Sequence, residues 1–155
     1  RAEDPALWNN AAAAQKLMGR YAGAEPAVRR SAFTVVGHSS QEHAEFPQAE
    51  QAYGQVLALT PADDKERQAL VDNLAAAIYK QGEQANAAQD HRAAADNFLR
   101  VGKAAPGSQI RAAAEYDAAA ALIQLQDWPA AAAVLEAFRS NWPDHLISRV
   151  LIPYI

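Results

Sequence analysis

Three ungapped stretches of seventeen residues repeat along this chain. An internal repeat constrains the fold strongly, because each copy can bury its apolar face only against its neighbours. The copies are EFPQAEQAYGQVLALTP from Glu45, DHRAAADNFLRVGKAAP from Asp90 and DWPAAAAVLEAFRSNWP from Asp127. Each opens on an acidic residue and closes on proline, at Pro61, Pro106 and Pro143. The second position holds Phe46, His91 and Trp128, and the fifth holds Ala49, Ala94 and Ala131. The ninth holds Tyr53, Phe98 and Leu135, and the twelfth Val56, Val101 and Phe138. Offsets of three, four and three place these side chains on one face of an α-helix, which proline then terminates.

The intervening segments also read as helices: Ala27 to about His43, Asp64 to about Ala88 and Ser108 to about Leu125. In the longest, Leu70, Leu74 and Ile78 recur every four residues, and Asp63 with Glu66 forms an N-cap signature after Pro61. The chain therefore alternates two helix types. A weaker fourth copy ends at Pro26, with Ala14, Met18 and Tyr21 at equivalent positions. From Asp144 a further helix begins, interrupted by Pro153, and Val150, Leu151, Ile152 and Ile155 leave that end apolar. An apolar end predicts continuation of the stack, a cap or self-association there.

The joint spacing of small, aromatic and proline positions resembles the tetratricopeptide repeat over roughly residues 32–143. That resemblance implies an all-α fold, a superhelical solenoid of antiparallel helix pairs. Residues 1–155 would form one domain, with 1–31 a degenerate repeat or cap and 144–155 the start of another helix. It also implies a small residue where the two helices of a pair cross, and Gly37, Gly82 and Ala119 stand twelve residues before Ala49, Ala94 and Ala131. The period departs from the family's: successive copies start 45 and 37 residues apart. The larger excess falls in the Asp64 to Ala88 segment, which lacks Gly or Pro before Gly82, so a helix extended at its N-terminal end is expected.

Composition excludes several functions. The chain of 155 residues carries 18 acidic and 14 basic residues without a long single-sign run, a poor surface for nucleic acid. It contains no Cys, hence no thiol nucleophile or disulfide framework, and no apolar run long enough to span a membrane. The start at Arg1 fits a processed chain or a piece of a longer protein. The stretch QDWPAAAAVLEAFRSNWPDH resembles repeats of bacterial outer-membrane assembly and envelope lipoproteins, which implies the periplasm or cell envelope, with the cytoplasm as alternative.

Catalytic chemistry finds no support in the residue pattern. His38 and His43 are five apart, the wrong angular step for a helical zinc pair, so no metal site is expected. His91 falls at a repeat core position and reads as a packed or helix-start residue. Trp128 falls at a repeat core position and Trp142 lies beside the closing proline, so packing explains the two tryptophans. Asp63, Asp64, Asp90, Asp127 and Asp144 sit at expected helix starts, where they accept backbone N–H bonds, and His145 falls in the first turn of the last helix. No G-x-S-x-G elbow and no Gly-rich phosphate loop occurs, so no cofactor and no enzyme activity are expected.

What remains is binding. In the family register the concave groove is lined by first-helix positions, here Tyr79, Glu83 and Asn86 in one repeat and Ala113, Tyr116, Ala120 and Ile123 in the next. Tyr79 and Tyr116 each lie fifteen residues before the small alanine of their repeat. Two such tyrosines offer rigid apolar anchors to a partner peptide or helix, while the alternative is that both pack as additional core. With Glu83 the sole charge among these positions, the ligand should be amphipathic, not strongly acidic, and bound with weak salt dependence. The Lys, Asn and Arg clamp that family members use for acidic C-termini is missing: Thr34, His38, Tyr79, Glu83, Tyr116 and Ala120 stand there. A protein-interaction module is therefore expected, with a structural spacer or assembly domain of a larger envelope protein as the alternative.

Overall fold

The structure is a computed structural model that describes residue 16 and residues 19–150. Ala14 and Met18 of the weak fourth copy, and the apolar end from Leu151, lie outside the described residues. Among the described residues the regular structure is entirely helical, with no strand. The helices are α1 (Pro26–Glu42), α2 (Phe46–Ala58), α3 (Arg67–Ala87), α4 (His91–Ala104), α5 (Arg111–Gln124), α6 (Trp128–Asn141) and α7 (Leu146–Val150). Neighbours pack against one another, α1 on α2, α4 on α5 and α5 on α6.

The repeat register governs the backbone as well as the side chains. α1, α3 and α5 all end seven residues before the small alanine of their repeat, at Glu42, Ala87 and Gln124. The turns that follow are copies of each other. Ala44, Gln89 and Gln126 adopt left-handed backbone at φ 58, 63 and 58°. The next amide then donates back across the turn: Glu45 to the Ser40 carbonyl at 2.8 Å, Asp90 to Ala85 at 2.9 Å and Asp127 to Leu122 at 3.0 Å. This is the Schellman closure, which satisfies carbonyls that a helix end leaves open. Asp90 and Asp127 then cap α4 and α6 by accepting from the amides of Ala93 and Ala130, whereas the longer Glu45 makes no side-chain cap on α2.

The chain forms two compact units that divide inside α3, between Ala77 and Ile78. In the first, Phe33 and Val36 of α1 pack with Ala52 and Val56 of α2 and with Leu70. Gly37 lies against the Tyr53 ring so closely that a Cβ there would stand 2.7 Å from Cε1. Tyr53 is 2% exposed, and burial first, then the charge of Glu42, pushes its phenol pKa up to about 12. Leu70 reaches this core because α3 has 21 residues against 14 in α5, and the extra seven lie at its N-terminal end. The Arg67 guanidinium at that end donates to the carbonyls of Thr60 at 2.7 Å and Leu57 at 3.2 Å.

The N-cap signature is displaced. α3 begins at Arg67, and Asp64, not Asp63, accepts from the Glu66 amide at 2.9 Å while pairing with Arg30 at 2.7 Å. The Pro61 carbonyl accepts from Asp64 N–H, so the chain turns once more before the helix starts.

In the second unit the buried cluster comprises Ala119, Leu135 and Phe138, with Tyr116, Val134, Trp142 and Ile147 packed on it. Gly82 repeats the arrangement of Gly37: a Cβ would meet the Phe98 ring at 2.6 Å. The third copy solves the same crossing differently, with Ala119 in place of glycine and Leu135 in place of the ring. Glu115, 9% exposed, accepts from Arg111 Nε at 2.7 Å and from Trp142 Nε1 at 2.9 Å, with the guanidinium 5.7 Å from the Trp142 ring centroid. Burying a carboxylate is costly unless such partners satisfy its oxygens. Trp142 thus packs as expected.

Trp128 does not. It is 58% exposed, although Phe46 at the same repeat position is buried. As the first residue of α6 its side chain leans back past the helix end, and only a neighbour beyond that end could cover it. The last helix also starts later than Asp144: α7 opens at Leu146, and the His145 ring nitrogen, rather than a carboxylate, accepts from the Ile147 amide at 3.3 Å.

Candidate functional site

A cleft of about 470 Å³ opens in the second unit, built from α3, α4 and α5. Tyr79, Glu83 and Asn86 are spaced by four and three, which puts them on one face of α3. Opposite stand Asp117, Ala120, Ala121 and Gln124 of α5, with Ala87 and Phe98 completing the lining. The close approach of α3 to α4 at Gly82 brings the Tyr79 ring to 5.1 Å from that of Phe98, tilted by 49°.

The polar groups are fixed by specific partners. The Tyr79 hydroxyl donates to Asp117 Oδ2, tying α3 to α5. Burial, then this hydrogen bond and the charges of Asp117 and Glu83, raise the Tyr79 pKa well above the usual phenol value. Tyr79 therefore remains protonated and holds the carboxylate in place. Glu83 pairs with Lys80 one turn back, and Asn86 Oδ1 accepts from the His91 ring at 2.7 Å.

Four of the expected groove residues, Tyr79, Glu83, Asn86 and Ala120, line this cleft. Ala113 and Ile123 are exposed on α5 but do not line it. Tyr116 is half-buried against the cluster of Ala119, Leu135 and Phe138, its ring 6.4 Å from that of Phe138. The sequence reading missed Asp117 and Gln124. They lie one position beyond the chosen α5 residues Tyr116 and Ile123, a rotation of about 100° around the helix. One signal pointed to Asp117: a half-buried tyrosine hydroxyl needs a partner, and Asp117 stands 38 residues, about one repeat, after Tyr79.

Elsewhere, a cleft of about 350 Å³ in the second unit lies over the satisfied Arg111–Glu115 pair. One of about 460 Å³ in the first unit lies beside Arg30, whose partners are Asp64 and Glu66. His38 is exposed with its ring 5.8 Å from Tyr53, and His43 donates to the Ser39 carbonyl. Among the described residues no group of three or more His, Asp or Glu side chains could hold a metal, and no helix is long and apolar enough to cross a membrane. Comparison with protein-family models, with curated proteins and with solved structures finds no match to this chain.

Proposed function

We propose that the chain is a tetratricopeptide-type solenoid of antiparallel helix pairs that binds a partner peptide or helix in its groove and catalyses no reaction. The observation that carries this reading is the 470 Å³ cleft, where Phe98, Ala87, Ala120 and Ala121 supply apolar surface beside polar groups held by internal hydrogen bonds. Preorganised polar groups next to apolar surface suit a side chain inserted from a partner. The three equivalent helix ends and the glycine-to-ring crossings at Gly37 and Gly82 support the repeat assignment.

Ala120 is exposed on α5 and tolerates a long side chain without loss of helix propensity. Ala120→Arg should therefore fill the cleft, keep the circular dichroism spectrum and abolish retention of partners that the wild-type chain captures. Capture of the same partners by both proteins would remove the groove from consideration. One observation favours the structural alternative, a spacer in a larger envelope protein: Tyr116 is packed against the core and the Tyr79 hydroxyl is already engaged. On that reading, Ala120→Arg leaves every association of the full-length protein unchanged.

A further inference from the structure

We infer that the occupant of this cleft is an amphipathic segment of a partner protein that inserts an Arg or Lys side chain. The inference rests on the binding reading above and adds the partner's chemistry. The acidic residues that line the cleft are Glu83 and Asp117, and Asn86 and Gln124 add amide oxygens. No Lys or Arg is among the lining residues. Phe98, Ala87 and Ala120 offer apolar surface that matches the methylene stem of a long cationic side chain, whose head the two carboxylates then meet.

The geometry holds this charge in place. Asp117 is oriented by the Tyr79 hydroxyl, which takes one of the several acceptor sites a carboxylate has. Glu83 is paired with Lys80 across one helical turn, with 43% of its side chain exposed. Lys80 is thus an internal competitor for the incoming cation. An acidic peptide would face two carboxylates, the nearby Lys80 being engaged on Glu83, whereas a cationic one gains from both. Asp117 reverses one expectation drawn from the sequence: with two carboxylates in the cleft, binding should weaken clearly as salt rises.

A display library of amphipathic helical peptides, selected on the intact chain, tests this. The expected binders carry Arg or Lys at a fixed position and are blocked by Ala120→Arg. Their affinity falls about tenfold with Glu83→Gln and Asp117→Asn together, and rises with Lys80→Ala. Asn retains an acceptor for the Tyr79 hydroxyl, so the fold stays intact, which circular dichroism checks. Binders that compete with Ala120→Arg yet lack a cationic residue and ignore the charge variants would overturn the inference and leave the groove function standing. An absence of cleft binders overturns both. Dimerisation in sedimentation that Asp117→Asn abolishes would make a second copy the occupant and equally overturn it.

Discussion

Gly82→Ala is the sharpest probe of the crossing between α3 and α4. A Cβ at Gly82 would lie 2.6 Å from both Cδ1 and Cε1 of Phe98, about 1 Å inside the ordinary carbon–carbon contact distance. The ring has little room to retreat, since Phe98 is 3% exposed and the Tyr79 ring stands 5.1 Å away. In an unhindered helix the substitution would gain about 1 kcal/mol, while overpacking a tight core costs about 1–3 kcal/mol. The steric term should at least cancel that gain, for a net loss of up to about 2 kcal/mol. At this chain length that lowers Tm by up to about 8 °C.

The third copy supplies the control, because Ala119 and Leu135 occupy the same two positions. In a Phe98→Leu background the obstacle is gone, and Gly82→Ala should stabilise by about 1 kcal/mol. The double-mutant cycle then yields a coupling of about 1–3 kcal/mol by urea unfolding. Additivity within about 0.5 kcal/mol would refute the argument that ring and Cβ compete for one space.

Three other outcomes follow from the helix ends and the buried phenols. Ala44→Gly, Gln89→Gly and Gln126→Gly each relieve a left-handed residue and should raise stability by about 0.5–1 kcal/mol, read as a higher denaturation midpoint with unchanged slope. Glu45→Asp should give α2 the side-chain cap that Asp90 and Asp127 give α4 and α6, adding about 0.5–1 kcal/mol; an unchanged midpoint would show that the cap adds nothing there. Tyr53 has a folded pKa of about 12 against an ordinary 10.0, so the unfolded chain ionises first, and its contribution is present below pH 10 and lost as pH rises toward 12. Tyrosinate absorbance and stability against pH should reveal this loss, and Tyr53→Phe should flatten it.

The helices were legible in the sequence because their signals are local. Ala49, Ala94 and Ala131 are all nearly or fully buried, and prolines 61, 106 and 143 follow the ends of α2, α4 and α6 as their spacing required. Even the extension of α3 could be placed, since a stretch free of Gly and Pro offers no earlier stopping point. The exact start was less accessible. Asp63 and Asp64 are adjacent carboxylates, and choosing between them depends on Arg30, which lies 34 residues away from Asp64.

Side-chain burial is a different matter, because it belongs to the neighbours and not to the repeat. Phe46 and Trp128 share a position and a helix N-terminus, yet one is 9% exposed and the other 58%. The same limit explains the partial recovery of the cleft. On α3 the spacing of Tyr79, Glu83 and Asn86 puts all three on one face of a single helix, and all three line the cleft. On α5 the face was inferred by copying the register of α3, but the substitution of Leu135 and Phe138 for Phe98 and Val101 moves the aromatic ring from the ninth position to the twelfth. Tyr116 follows that ring inward and packs beside Phe138, while Tyr79 remains at the cleft against Phe98. The next residue, Asp117, then supplies the α5 side of the cleft and receives the Tyr79 hydroxyl. The two helices meet across the cleft through different faces, which is why copying the α3 register onto α5 selected Tyr116 and passed over Asp117.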